Sequence, residues 1–172
     1  MKLSKYVACI CEGGAEKTII ELLLDSNSLI FSYDDLLEGE ILRCRKARDF
    51  ETQYLRKYFN EKVTVLRILD SRRERFALSK AYAHKVDVIN VVTAPEIEML
   101  VILSENKYKE FKGSNLKPSE YCKSFLGYSN VKRPVFIEAY FKDLDKLITA
   151  IKRYKKVSKI NHGEYALADL LK

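Results

Sequence analysis

The chain has 172 residues, 47% of them hydrophobic and 32% charged, with 31 Lys and Arg against 24 Asp and Glu for a formal net charge of +7. That length suits one ordinary domain, which buries roughly 70% of its unfolded surface and folds without disulfide or metal staples, and the composition is not that of a disordered chain. The positive balance is compatible with a phosphate-bearing partner, since cations meeting phosphates release counterions, and it is equally common in proteins that bind no nucleic acid.

The opening MKLSKYVACICEGG has neither a long apolar core nor a small-residue cleavage site, so it reads as a first strand, Tyr6 to Cys11, rather than a leader. No run of 18 apolar residues occurs, which argues against a membrane span. After a Gly-Gly turn, Glu16 to Leu24 has apolar residues at helical spacing. Leu29 to Ser32 and Ile41 to Arg45 are short strand candidates. Ala47 to Phe59 reads as a helix with Phe50, Tyr54, Leu55 and Tyr58 on one face.

Val63 to Leu69 is β-branched and aliphatic, ends at Asp70, and predicts a central strand. Glu74 to His84 reads as helix, Val86 to Val92 as another buried strand, and Pro95 as a helix start, where its missing N–H costs least. Strands separated by helices predict an α/β fold with a mostly parallel sheet and helices on both faces. Beyond about residue 105 the strand signals fade. Ser119 to Phe125, Ile137 to Tyr154 with an irregularity near Lys142, and Glu164 to Leu171 read as helices. Without a linker, repeat or low-complexity tract, residues 1–172 read as a single unit with a core over about 1–104 and a helical portion over about 105–172.

The cysteines are Cys9, Cys11, Cys44 and Cys122, the first two facing the same way on the first strand. Only His84 and His162 accompany them, so no zinc-ligand spacing exists, and buried free thiols in a reducing, cytoplasmic setting are expected.

Ligands of parallel α/β sheets bind at the carboxyl ends of strands. Glu12 and Asp70 stand at two such ends, and Glu16, on the first turn of the following helix, can point back to the same crevice. Gly13 and Gly14 let a phosphate or hydrated ion approach the backbone. Clustered carboxylates raise their pKa values or recruit a cation, and Mg²⁺ suits such oxygen ligands. Glu12 and Asp70 as solvated loop acids, and Glu16 as a complement to a helix N-terminus, are the alternatives. Arg43, Arg45, Lys46 and Arg48 form one basic group and Arg67, Arg72, Arg73 and Arg75 another. Flanking arginines are what metal-assisted phosphodiester chemistry requires to hold a nucleic-acid backbone, and scattered surface charge is the plainer account. No Gly-x-x-x-x-Gly-Lys-Ser/Thr loop occurs, nor the Asn-Pro-Pro-Tyr and Gly-x-Gly patterns of an adenine methyltransferase.

Ile10-Cys11-Glu12-Gly13-Gly14-Ala15-Glu16-Lys17 resembles the glutamate motif of Toprim domains, particularly in OLD-family nucleases, and Asp70 resembles the first aspartate of their Asp-x-Asp motif. Ala94-Pro95-Glu96-Ile97-Glu98-Met99-Leu100-Val101-Ile102-Leu103 is similar to the Asn-Pro-x-Phe-Glu-Leu-Trp-Leu-Leu-Leu signature of RloB-like proteins, restriction-linked Toprim relatives of bacterial defence loci. Phe125-Leu126-Gly127-Tyr128 and Tyr165-Ala166-Leu167-Ala168-Asp169-Leu170-Leu171 sit where that family has a Gly-Tyr motif and a leucine-rich terminal helix. The resemblance implies a Toprim-like sheet and a Mg²⁺- or Mn²⁺-dependent nuclease acting on DNA or RNA in anti-phage defence, with an ABC-type ATPase as partner. It also implies Glu12 as acid or base, and Glu12, Glu16, Asp70 and Glu98 as metal-site residues. Arg43, Arg45, Lys46, Arg72, Arg73 and Arg75 are the matching candidates for nucleic-acid contact. Two motifs depart from the pattern: Arg72 stands where the second aspartate is expected, and Ala94 and Ile97 replace the Asn and Phe of the signature. The first departure leaves open a degenerate module that binds nucleic acid or a partner without cutting.

Overall fold

Seven residues without a charge except Arg67 make Val63–Leu69 (β2) the strand best able to lie inside a sheet, and every one of them is buried. The computed structural model describes residues 1–93 and 97–172. In it β2 lies between Tyr6–Cys11 (β1) and Val86–Val92 (β3), both parallel to it, with Tyr6 opposite Val63 and Val63 opposite Val86. A two-residue strand, Glu164–Tyr165 (β4), joins β3 at Asn90 and Val91, also in parallel. The fold is therefore α/β, with a four-stranded parallel sheet in the order β1-β2-β3-β4 and helices around it.

The period of two along each strand divides the core. Val7, Cys9, Cys11, Leu66, Ile68 and Val91 face a large apolar layer. It is built by Gly14–Asp25 (α1), Glu98–Ser104 (α4), Pro118–Phe125 (α6), Pro134–Tyr140 (α7) and Leu144–Val157 (α8). Ala8, Ile10, Val63, Val65 and Val86 face a thinner layer that includes Phe50 of Ala47–Tyr54 (α2), Leu42 and Leu55, with Phe76, Leu78 and Tyr82 packed against it. Tyr82 belongs to a single helical turn, Lys80–Ala83 (α3), and Tyr108–Ser114 (α5) follows α4. Fully buried side chains such as Phe50, Ile19, Leu66 and Phe141 each contribute roughly 1.5–3 kcal/mol relative to exposure.

Helix limits follow local chemistry. Gly13, with extended φ/ψ, precedes α1. The irregularity expected near Lys142 is the break between α7 and α8, where the Asp143 carboxylate accepts from the Asp145 and Lys146 N–H groups and restarts the helix as an N-cap does. All six residues Glu98–Leu103 of α4 are buried because α6 and α8 pack around it.

Several sequence readings require correction. Leu29 to Ser32 and Ile41 to Arg45 are not strands. Each makes one isolated bridge, Leu29 with Leu171 and Leu42 with Ile10, and the second covers part of the outer edge of β1. The helix expected to Phe59 stops at Tyr54, which leaves Tyr58 at 92% exposure. Glu74 to Ser79 is not helical. Phe76 and Leu78 are drawn onto the second core, and the Ser79 N–H bonds Glu51. Glu164 to Leu171 contains β4 and a 3₁₀ turn, Leu167–Leu170, instead of an α-helix. The helix expected from Pro95 begins, within the described residues, at Glu98; Ala94, Pro95 and Glu96 lie outside them. Cys9, Cys11, Cys44 and Cys122 are buried and not joined in disulfides among the described residues. No helix among the described residues is long and apolar enough to cross a membrane.

Candidate active site

Because the strands are parallel and in register, β1 and β2 end side by side, and the residues that follow them meet. The Glu12 N–H reaches the Ile68 carbonyl at 3.4 Å, and the Asp70 N–H donates to Glu12 Oε2 at 2.9 Å. The other carboxylate oxygen, Glu12 Oε1, is buried and has no hydrogen-bond donor among the described residues. Burial first, then hydrogen-bonded contact with the carboxyl groups of Asp70 and Glu74, raises the Glu12 pKa from 4.5 to about 8, against the lowering effect of the Asp70 N–H. Glu12 therefore holds a proton through most of the neutral range.

Glu16 and Glu98 are placed differently. The Glu16 carboxylate folds back over the start of α1, so close to Gly13 that a Cβ there would clash with Oε2. Burial raises its pKa, its own N–H opposes this, and Asp70, Lys132 and Arg45 are all within electrostatic reach. Glu98 is 1% exposed at the start of α4 and has the Lys132 ammonium 3.3 Å from Oε1. Lys132 thus lies electrostatically between Glu98 and Glu16. Among the described residues, no three Asp, Glu, His or Cys side chains converge closely enough to hold a metal ion.

The arginines divide by role. Arg67 stands opposite Ile10 in the register and points to the thinner face, with its side chain 4% exposed. It lies 5.0 Å from the Phe76 ring centroid, donates to Asn90 at 3.4 Å, and sits 3.6 Å from Glu74 Oε2. The period of two puts Glu12 on this face; burial lowers the Arg67 pKa, and the Glu12 and Glu74 carboxylates oppose this when ionised. Arg45 pairs with the other Glu74 oxygen at 3.6 Å and donates to the Glu12 carbonyl. Together with Arg43, Lys17 and the Cys11–Gly14 backbone, Arg45 lines a cleft of about 410 Å³ at the N-terminus of α1. Lys46 is exposed beside it at the start of α2, and Arg73 and Arg75 are exposed beyond β2. Arg72 turns away from the acids. Its Nε donates to both Glu164 oxygens at 2.9 and 3.0 Å and its Nη2 to the Lys159 carbonyl at 2.8 Å, which ties the segment after β2 to β4.

The structure thus brings Glu12, Asp70, Arg43 and Arg45 to one end of the sheet, with Glu16 beside them, and commits Arg72 and Glu98 to other partners. Two neighbours of the acids are not assigned by the sequence: Lys17 is the residue that follows Glu16 in the glutamate motif, and Lys132 has no local signal because it arrives from a loop far along the chain. Arg67, grouped with the flanking arginines on sequence, is instead buried beneath Glu74. These features define an α/β chain with an acid-tipped, arginine-flanked site at the carboxyl edge of a parallel sheet. Comparison of the chain with protein-family models, curated proteins and solved structures finds no match.

Proposed function

We propose that the protein is a metal-dependent phosphodiester hydrolase of the Toprim type, acting on DNA or RNA. The observation that carries this is the pairing of a proton-holding Glu12 with Asp70 at adjacent strand ends, beside a cleft lined by Arg43, Arg45 and Lys17. The donor set fits a divalent ion held by few protein oxygens: the Asp70 carboxylate is exposed at the strand end beside Glu12, and Mg²⁺ typically takes one or two carboxylates and completes its shell with water and substrate phosphate. Bound there, Mg²⁺ or Mn²⁺ would polarise the scissile phosphate.

The remaining steps belong to the chain itself. Arg43, Arg45 and Lys17 hold the phosphates next to the strand ends, guanidinium forks being matched to phosphate oxygens. The new water-oxygen to phosphorus bond forms as the bond to the leaving oxygen breaks; Glu12 passes its proton to that oxygen, and the proton lost by the attacking water goes to solvent, from which Glu12 is reprotonated. Asp70, Lys132 and Arg45 set the field around Glu16. By the resemblance to RloB-like proteins, the setting is cytoplasmic anti-phage defence with an ABC-type ATPase partner.

A non-cutting module is the second reading, favoured by the neutralisation of Glu74 by Arg45 and Arg67 and by the arginine at position 72. Purified protein is assayed with Mg²⁺ and with Mn²⁺ on labelled DNA and RNA, alone and with a candidate ATPase. Scission that disappears in Glu12→Gln supports the hydrolase. Binding weakened by Arg43→Glu and Arg45→Glu, without scission under any condition, supports the module. Neither scission nor binding refutes both.

A further inference from the structure

A second cavity, of about 290 Å³, is lined on one side by Arg72. Met99, Tyr108, Phe111, Tyr154 and Val157 of α4, α5 and α8 form its walls. Phe111 is held edge-on against Tyr121, with ring centroids 5.4 Å apart, and Tyr154 is fixed by its hydroxyl on the Thr93 carbonyl at 3.1 Å. The charged residues lining it are Arg72, Lys112 and Lys159, all cations. Glu164 balances Arg72, so the excess charge comes from Lys112 and Lys159, while Arg72 keeps Nη1 uncommitted among the described residues. Arg72 follows Asp70 by two positions, a Cα–Cα span of at most about 7 Å.

We propose that this cavity receives an unpaired base of the nucleic-acid strand whose phosphate lies at Glu12 and Asp70, with Lys112, Lys159 and Arg72 on the flanking phosphates. The inference rests on the nucleic-acid reading above and adds the strand state: the substrate is single-stranded or locally opened. Aromatic walls stack on any base, because every base has a π-face. A rim of cations without a carboxylate selects an apolar group that carries phosphate over an uncharged one. The volume is at the lower end for ligand cavities, enough for one flat ring system and too small for a base pair in a duplex.

The test uses the full chain in EDTA, so that nothing is cut. Single-stranded oligonucleotides carrying one 2-aminopurine report stacking by quenching and affinity by anisotropy. Quenching by the native protein is expected. Phe111→Ala should abolish it and weaken single-strand binding roughly five- to hundredfold, the range associated with one stacked base. Lys112→Glu and Lys159→Glu, at exposed positions that leave the fold intact, should weaken binding and flatten its salt dependence, so the test survives if Phe111→Ala unfolds. A duplex of the same sequence should bind more weakly than the single strand. Oligonucleotide binding that is lost in Arg43→Glu with Arg45→Glu but unchanged in all three cavity variants overturns this proposal and leaves the function standing. Absence of any nucleic-acid binding overturns both. Binding of free 2-aminopurine nucleotide without binding of the oligonucleotide replaces the strand with a soluble nucleotide and also overturns it.

Discussion

Replacing Glu12 by Gln should stabilise the protein, and by an amount that depends on pH. The folded protein holds the Glu12 proton up to about pH 8, whereas an unperturbed glutamate releases it near 4.5. Between those values the folded state binds more protons than the unfolded one, so native stability falls as pH rises through the window and the loss is complete above about 8. At 1.36 kcal/mol per pH unit the gap sets a ceiling of about 5 kcal/mol. Glu12 is only half-buried, and solvent screening reduces this to on the order of 1–2 kcal/mol. Gln carries no proton, keeps an oxygen for the Asp70 N–H, and offers an amide N–H to the neighbouring carboxylates. Its advantage should therefore be near zero below pH 4.5 and reach about 2–8 °C in Tm at pH 9, at roughly 2–4 °C per kcal/mol for a chain of this size. Melting curves of the two proteins from pH 4 to pH 9 measure the difference directly, because every other titrating group is common to both. Added Mg²⁺ should raise the native Tm at pH 9 and raise that of the variant less, since an ion bound only by the folded state stabilises it by mass action. A Tm difference that does not change with pH, or a variant less stable than the native protein at pH 9, refutes the account of Glu12.

Gly13→Ala places a methyl on the Glu16 carboxylate, and because that group sits at the end of a flexible side chain the cost should be about 1 kcal/mol. In a Glu16→Ala background the same change should cost nearly nothing, so a double-mutant cycle in urea reads the contact as a coupling energy, and additive costs would disprove it. Arg72→Ala removes the hydrogen bonds to Glu164 and Lys159, and partial exposure limits the loss to about 1–2 kcal/mol. Hydrogen exchange should accelerate first at Glu164 and Tyr165 of β4, and uniform acceleration across the sheet would contradict the clamp.

The fold class was legible because hydrophobic patterning is local. β1, β2 and β3 are short apolar runs set between helical periodicities, and such units build a parallel sheet from almost any chain that carries them. The acids were legible for the same reason: Glu12 and Asp70 directly follow two strands, and parallel register brings strand ends together. What local pattern could not decide was which long-range partner each residue takes. Glu74 to Ser79 has helical composition, yet Phe76 and Leu78 pack against the second core from a segment that is not helical. Glu164–Tyr165 is a strand only because β3 presents a free edge at Asn90 and Val91. Arg72, next to Asp70 in sequence, belongs to Glu164, ninety-two positions away. Lys132 reaches Glu98 and Glu16 from a loop with no motif of its own. Backbone periodicity is written residue by residue, whereas an ion pair or a desolvated carboxylate depends on which side chains packing brings within a few ångströms, and only the tertiary structure sets that.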